Sequence, residues 1–297
     1  MLNGILLMDK PEGMSSAQLT ARVKKISGAS KAGHAGTLDP FASGLIICCL
    51  NRATKLSTFF LHGEKSYEAV LRLGIETDTQ DRTGEIRARS APGSFSAQEL
   101  ERVFRSFSGT IRQIPPVYSA LKHKGVPLYK LARKGKAPEK PPREVHISEI
   151  RILETSLPDI RFRVSCSGGT YIRTLAADIG RKLGCGAHLT ALRRTASSHF
   201  RISDALTLPE LEKDSLPAHL VSPDAALPHL PSYTADEKLQ KKICHGQAIS
   251  LRDIPRQNEG GLLKLLDRER TLLALVHRKK EEEMYNYSCV FCADRGI

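Results

Sequence analysis

The chain has 297 residues, 40% of them hydrophobic, and a formal charge of +13 at pH 7. That length suits one large domain or a large and a small one, and no apolar run is long enough to span a bilayer. A positive surplus of this size favours a polyanionic partner, RNA or DNA, over an anionic membrane surface, which would call for a long amphipathic lysine-rich helix.

Residues 1–10 lack the basic start and small-residue cleavage site of a secretory signal, so a cytoplasmic protein is expected. Residues 5–9 read as a short strand, stopped by the turn composition of Lys10, Pro11, Glu12 and Gly13. Ser15 or Ser16 then caps a helix whose apolar face is Leu19, Val23 and Ile26. Residues 44–50 form an unbroken apolar run of strand length. Residues 67–73 alternate Ala69, Leu71 and Leu73 against Glu68 and Arg72, which predicts a half-buried strand. Ser96 and Glu99 make a capping box for a helix with Leu100, Val103, Phe104 and Phe107 inward.

Residues 119–143 carry Lys122, Lys124, Lys130, Arg133, Lys134, Lys136, Lys140 and Arg143 against one acid, Glu139, and their prolines preclude one continuous helix. Two readings stay open: a solvated loop, or a basic flap over a phosphate backbone. Ile160, Phe162, Val164 and Cys166 alternate with Arg161, Arg163 and Ser165, another strand. Gly168 and Gly169 break it, and a helix follows with Ile172, Leu175, Ile179 and Leu183 on one face. Strands and helices are mixed without a regular βαβ repeat, which points to α+β with a largely antiparallel sheet. The proline-rich stretch 216–231 reads as a connector, so the expected domains are 1–230 and 231–297, the second small and β-rich. Seven scattered cysteines suit reduced thiols better than a disulfide framework; Cys289 and Cys292 have metal-ligand spacing but no convincing second pair, so no metal is expected.

Residues 33–44 pack Gly33, Gly36 and Gly44 with His34, Thr37, Asp39 and Pro40 ahead of the apolar run. Such glycine density lets a backbone turn tightly and approach a ligand. An aspartate here is more often a turn residue than a catalyst. Residue chemistry alone stops at a structured polar loop.

The runs 4–16 (GILLMDKPEGMSS) and 33–45 (GHAGTLDPFASGL) resemble the bacterial tRNA pseudouridine-55 synthase family. Residues 65–67 (KSY), 166–175 (CSGGTYIRTL), 184–189 (GCGAHL) and 192–195 (LRRT) are similar to that family's later motifs, in the same order. The resemblance covers roughly residues 3–213. It implies a pseudouridine-synthase-like sheet flanked by helices, a C-terminal PUA-like RNA-binding domain, and isomerisation of the T-loop uridine at position 55 of tRNA by a monomer without a cofactor. Asp39 matches the family's nucleophile, Arg173 the arginine paired with it, and Tyr67 the tyrosine that stacks on the target base. A base inside a folded loop must be flipped out, and His34 matches the residue that fills the vacated place. Ile172 and Leu192 are expected to line the pocket, and Lys130 and Arg133 to bind the tRNA T-arm. Gly168 departs from the pattern: many relatives have lysine there. An RNA-binding protein without catalysis needs none of the Asp39, Tyr67 and Arg173 set, and a glycosidic hydrolase needs a second acid, which the motif lacks.

Overall fold

The structure, a computed structural model, describes residues 2–292 apart from 120, 133, 137, 139, 255–260 and 280. Its main sheet is built from β1 (Gly4–Lys10), β2 (Ala32–Ala35), β3 (Ser43–Leu50), β4 (Lys65–Leu73), β5 (Gly109–Gln113), β6 (Arg143–Ser156), β7 (Asp159–Cys166) and β8 (Ala187–Ser197). The path runs β1, β3, β8, β4, β7, β6, β5, with β2 beside β3. Neighbours are antiparallel except at one seam, where Arg193 and Arg194 of β8 run parallel to Ser43 and Gly44 of β3. The α+β architecture expected from the sequence is the one formed.

Three helices cover one face: α1 (Ser16–Ser27), α2 (Ala97–Arg105) and α3 (Ile172–Lys182). Ser15 caps α1 through a reciprocal box with Gln18, and Gly28, at φ 65°, ends it in the left-handed region. Ser96 and Glu99 form the equivalent box on α2, which ends two residues before Phe107. Leu19, Leu100, Phe104, Leu175 and Ile179 pack on Leu71, Ile160, Phe162 and Val164 in one core, with Phe104 edge-on to Phe162 at 5.5 Å. Each such side chain contributes about 1.5–3 kcal/mol on burial.

The opposite face of β4 and β7 is solvated. There Glu68 pairs with Arg161 at 2.7 Å and Arg163 at 2.9 Å, and Arg72 with Asp159 at 2.7 Å. Exposed pairs of this kind are worth about 0–1 kcal/mol each, so apolar burial on the other face sets the register. The run in β3 is continuous because both its faces are covered: Ile46 and Cys48 join the helix-side core, while Leu45, Ile47 and Cys49 join a second core.

That second core includes Leu266 and Leu272 of a C-terminal sheet and Phe291 just beyond its last strand. Its strands are β9 (Ser232–Thr234), β10 (Ile249–Ser250), β11 (Leu262–Leu266), β12 (Leu272–His277) and β13 (Met284–Val290), in the order β9, β11, β12, β13, β10. The helix α4 (Glu237–Cys244) packs beside it, capped by Asp236.

Two expectations are corrected. The stretch 216–231 is more than a connector, because Leu216, Ala226 and Leu227 are buried; its prolines limit regular structure to one helical turn, Leu216–His219, but do not prevent packing. Cys244 and Cys292 are joined as a disulfide with Cα atoms 5.3 Å apart, rather than being plain thiols. The antiparallel return of β13 brings Cys292, just beyond it, to the last residue of α4, a proximity that a separation of 48 residues hides. Residues 119–143 hold a small hairpin (Lys122–His123 with Val126–Pro127) and a one-turn helix (Leu128–Ala132) whose Leu128 is fully buried.

Gly44 occupies the parallel seam with φ 107°, and a Cβ there would stand 2.7 Å from the Arg194 nitrogen. Gly44→Ala is expected to destabilise the fold by about 2–4 kcal/mol in urea unfolding, from backbone strain and separation of β3 from β8. A loss below about 0.5 kcal/mol, the range of neutral surface changes, would show that the seam does not need a bare backbone.

Candidate active site

The loop carrying Asp39 is held from below by the first two elements of the chain. Ser16, at the start of α1, both accepts from the Leu38 nitrogen (2.8 Å) and donates to the Leu38 oxygen (3.0 Å). The Pro40 oxygen accepts from the Gly13 nitrogen at 2.7 Å and from Lys10 Nζ at 3.5 Å. Lys10 is fully buried and also donates to the oxygens of Pro11 and Met14; burial lowers its pKa to about 8, against the pull of Asp39. Glycine-rich sequence makes this loop possible, and side-chain bonds make it rigid.

Arg173 lies in the first turn of α3, where the helix dipole disfavours a cation. Its surroundings answer that. Nε stands 2.9 Å from Asp39 Oδ2, Nη1 donates to the Thr79 oxygen at 2.7 Å, and Nη2 donates to the Tyr118 oxygen at 2.7 Å. Asp81, itself buried, sits 3.5 Å from Nη1 and accepts from Thr79 Oγ1 and the Thr83 nitrogen. The start of α3 is fixed by Gln113, which both donates to the Tyr171 oxygen (2.9 Å) and accepts from its nitrogen (2.8 Å). Burial pushes the Asp39 carboxyl above the ordinary aspartate range and the Asp81 charge adds to this, while Arg173 and Lys10 pull the other way.

Asp39, Arg173, Tyr67, Ile172 and Leu192 line one cavity of about 390 Å³, the size class of small-ligand pockets. Tyr67 reaches it from β4, and burial raises the pKa of its hydroxyl, with the nearby Arg194 guanidinium opposing. The structure does not bring His34 into the lining. It stands on β2, half-buried, with Nδ1 lacking a hydrogen-bond partner, and burial lowers its pKa. Lys130 is exposed on the Leu128–Ala132 helix and is not in the lining, and Arg133 lies outside the described residues.

Sequence reasoning gave no role to Asp81, Lys65 or Arg194, and placed Arg143 only in the basic segment; it lines the cavity. Lys65 and Arg194 were visible only as members of matched motifs. Lys65 donates to the oxygens of Leu61 (2.9 Å) and Gly63 (2.7 Å), and burial lowers its pKa to about 8. Arg194 donates to the oxygens of Leu45 (2.7 Å) and Gly36 (3.0 Å). Asp81 had a weak signal: a polar run, 77–84, denser in hydroxyls and carboxylates than a turn requires.

Comparison with known proteins gives concordant matches. Residues 24–172 match the family model for the TruB family pseudouridylate synthase N-terminal domain, and 173–226 that for the tRNA pseudouridylate synthase B C-terminal domain. The chain is 43% identical over 281 residues to tRNA pseudouridine synthase B of Burkholderia mallei (strain NCTC 10247), covering 93% of each. It is 50% identical over 222 residues to that of Francisella philomiragia subsp. philomiragia, covering 74% of each. Among solved structures, a chain of a Cbf5-Nop10-Gar1 complex superposes with a TM-score of 0.75 at 27% identity, over 97% of this chain and 85% of that one. With two family models abutting at residue 172 and close relatives over nearly the whole length, the chain belongs to the TruB family of pseudouridylate synthases.

Proposed function

We propose that this pseudouridine synthase acts on tRNA at the T-loop uridine of position 55, with Asp39 as its nucleophile. The observation that carries the reading is the Asp39–Arg173 ion pair, 2.9 Å long, in the wall of a cavity whose lining also includes Tyr67, Ile172 and Leu192. The reaction breaks the N1–C1′ bond, turns the base, forms C5–C1′, and exchanges the C5 proton for one taken up at N1. Substrate and product are isomers at the same oxidation level, so neither a redox cofactor nor a net addition of water is called for. A carboxylate suits this because it can bond to uridine and then leave. The buried guanidinium orients it and favours its charged form.

Ile172 and Leu192 supply apolar walls, and Tyr67 a stacking face for the uracil. The raised pKa of the Tyr67 hydroxyl supports a neutral phenol that orients the base, in preference to a phenolate that takes its proton. His34 leads into the Asp39 loop from β2, and its lowered pKa supports a neutral ring that fills the gap left by the flipped base. Lys130 and Arg133 serve the T-arm, the C-terminal β-rich module adds RNA contacts, and the monomer acts in the cytoplasm. Among the described residues no helix is long and apolar enough to cross a membrane.

With tRNA transcripts tritiated at uridine C5, the wild-type protein is expected to release tritium and Asp39→Asn none, while the variant still binds. A transcript with cytidine at position 55 should release none. Binding without release by the wild type would identify an RNA-binding protein instead, and release from the cytidine transcript would exclude the T-loop assignment.

The acid limb of the single-turnover rate tests the charge state of Asp39. Its folded pKa lies above the ordinary aspartate range, so the active carboxylate is lost at a higher pH than for an exposed aspartate as pH falls. Arg173→Ala should move that limb higher still. A wild-type midpoint at or below the ordinary value of about 3.9 would contradict this.

Replacing Lys130, Arg133 and Lys134 by glutamine is expected to weaken tRNA binding and to flatten its salt slope, each lost phosphate contact removing roughly 0.7–0.9. An unchanged slope would assign the segment to solvent.

A further inference from the structure

Gly168 departs from the lysine that many relatives carry, and its neighbours allow no side chain there. A Cβ at Gly168 would stand 2.7 Å from the Leu61 oxygen, 2.8 Å from His62 Cα and 3.0 Å from the His62 carbonyl carbon. All three are backbone atoms, so no change of rotamer relieves the contact. The backbone around His62 is pinned from its other side as well. Lys65 Nζ donates to the oxygens of Leu61 and Gly63, and the Ser198 nitrogen donates to the Glu64 oxygen at 2.7 Å. A turn of this chain is therefore seated on the bare glycine, and it carries His62 into the cavity lining.

Across the two glycines stands Arg143. Its guanidinium lies 4.9 Å from the Tyr171 ring centre, and its Nη2 donates to the Gly169 oxygen. A flipped nucleotide brings its ribose and phosphates to the mouth of the pocket with it, so the mouth needs donors. The deeper cations are already committed: Lys65 and Arg194 to backbone oxygens, Arg173 to Asp39, Thr79 and Tyr118. Arg143 gives Nη2 to the Gly169 oxygen, and His62 is exposed and uncommitted.

We infer that His62 is a substrate-positioning residue that donates a hydrogen bond to a backbone phosphate flanking the target uridine, opposite Arg143, in place of a side chain at position 168. This rests on the tRNA reading proposed above. The imidazole N–H makes the contact, so the role belongs to binding and leaves the bond-making at Asp39 alone.

The test uses the full chain, a tRNA transcript, and T-arm stem-loops in which the phosphates on either side of the target uridine are replaced, one at a time, by neutral methylphosphonate. His62→Ala is expected to raise KM by about threefold to tenfold, the worth of one ordinary hydrogen bond at an exposed site, with the loss in kcat/KM carried by KM. His62→Lys should restore KM. One methylphosphonate should weaken binding to the wild type and leave binding to His62→Ala unaffected. An unchanged KM for His62→Ala, equal damage from alanine and lysine, or full methylphosphonate sensitivity in the alanine variant would each overturn the inference. Absence of pseudouridine formation by the wild type would instead overturn the functional reading, so the two failures are distinguishable.

Discussion

A guanidinium removed from water must find acceptors for its N–H groups, and in this protein that requirement draws four stretches of chain to one point. Arg173 comes from α3, Asp39 from the loop before β3, Thr79 and Asp81 from the polar run after β4, and Tyr118 from the root of the basic segment. Removing a partner from a buried charge typically costs about 3–5 kcal/mol, which is large against the net stability of a domain. The ion pair is therefore a structural hub as well as part of the cavity wall. Geometry at the carboxylate is set by the packing of the whole sheet on its helices.

The sheet is asymmetric in what its faces do. Between β4 and β7 one side is core and the other is a solvated ladder of charges. At β3 both sides are buried, because the C-terminal sheet closes over the strand. The glycine seam between β3 and β8 lies between these regimes, and the cavity opens beside it: Gly36, Asp39 and Arg194 all belong to its lining. Rigid backbone on both sides of the seam suits a site in which a covalent bond must form and break without water competing.

Much of this was legible beforehand, and the reasons differ by element. β4 and β7 announced themselves by alternation, and α1 and α2 by their capping boxes, because those signals are local. Asp39 was not legible from residue chemistry, since a glycine-rich turn accounts for it; only the matched motifs singled it out. The acceptors around Arg173 stand 94 and 55 residues away in sequence, at Thr79 and Tyr118, and no local pattern encodes them. The same holds for the Cys244–Cys292 bond, and for the burial of Leu216 and Leu227 in a stretch whose prolines suggested a linker.

The bond from Arg173 to the Tyr118 oxygen ties the base of the 119–143 segment to the cation that holds Asp39. The basic segment and the cavity wall thus share one strut. A displacement of that segment cannot leave Tyr118 unmoved without stretching its neighbours, and any shift of Tyr118 alters the acceptor set of Arg173. The position of the basic segment and the acceptor set of a buried guanidinium are therefore coupled through a single backbone oxygen.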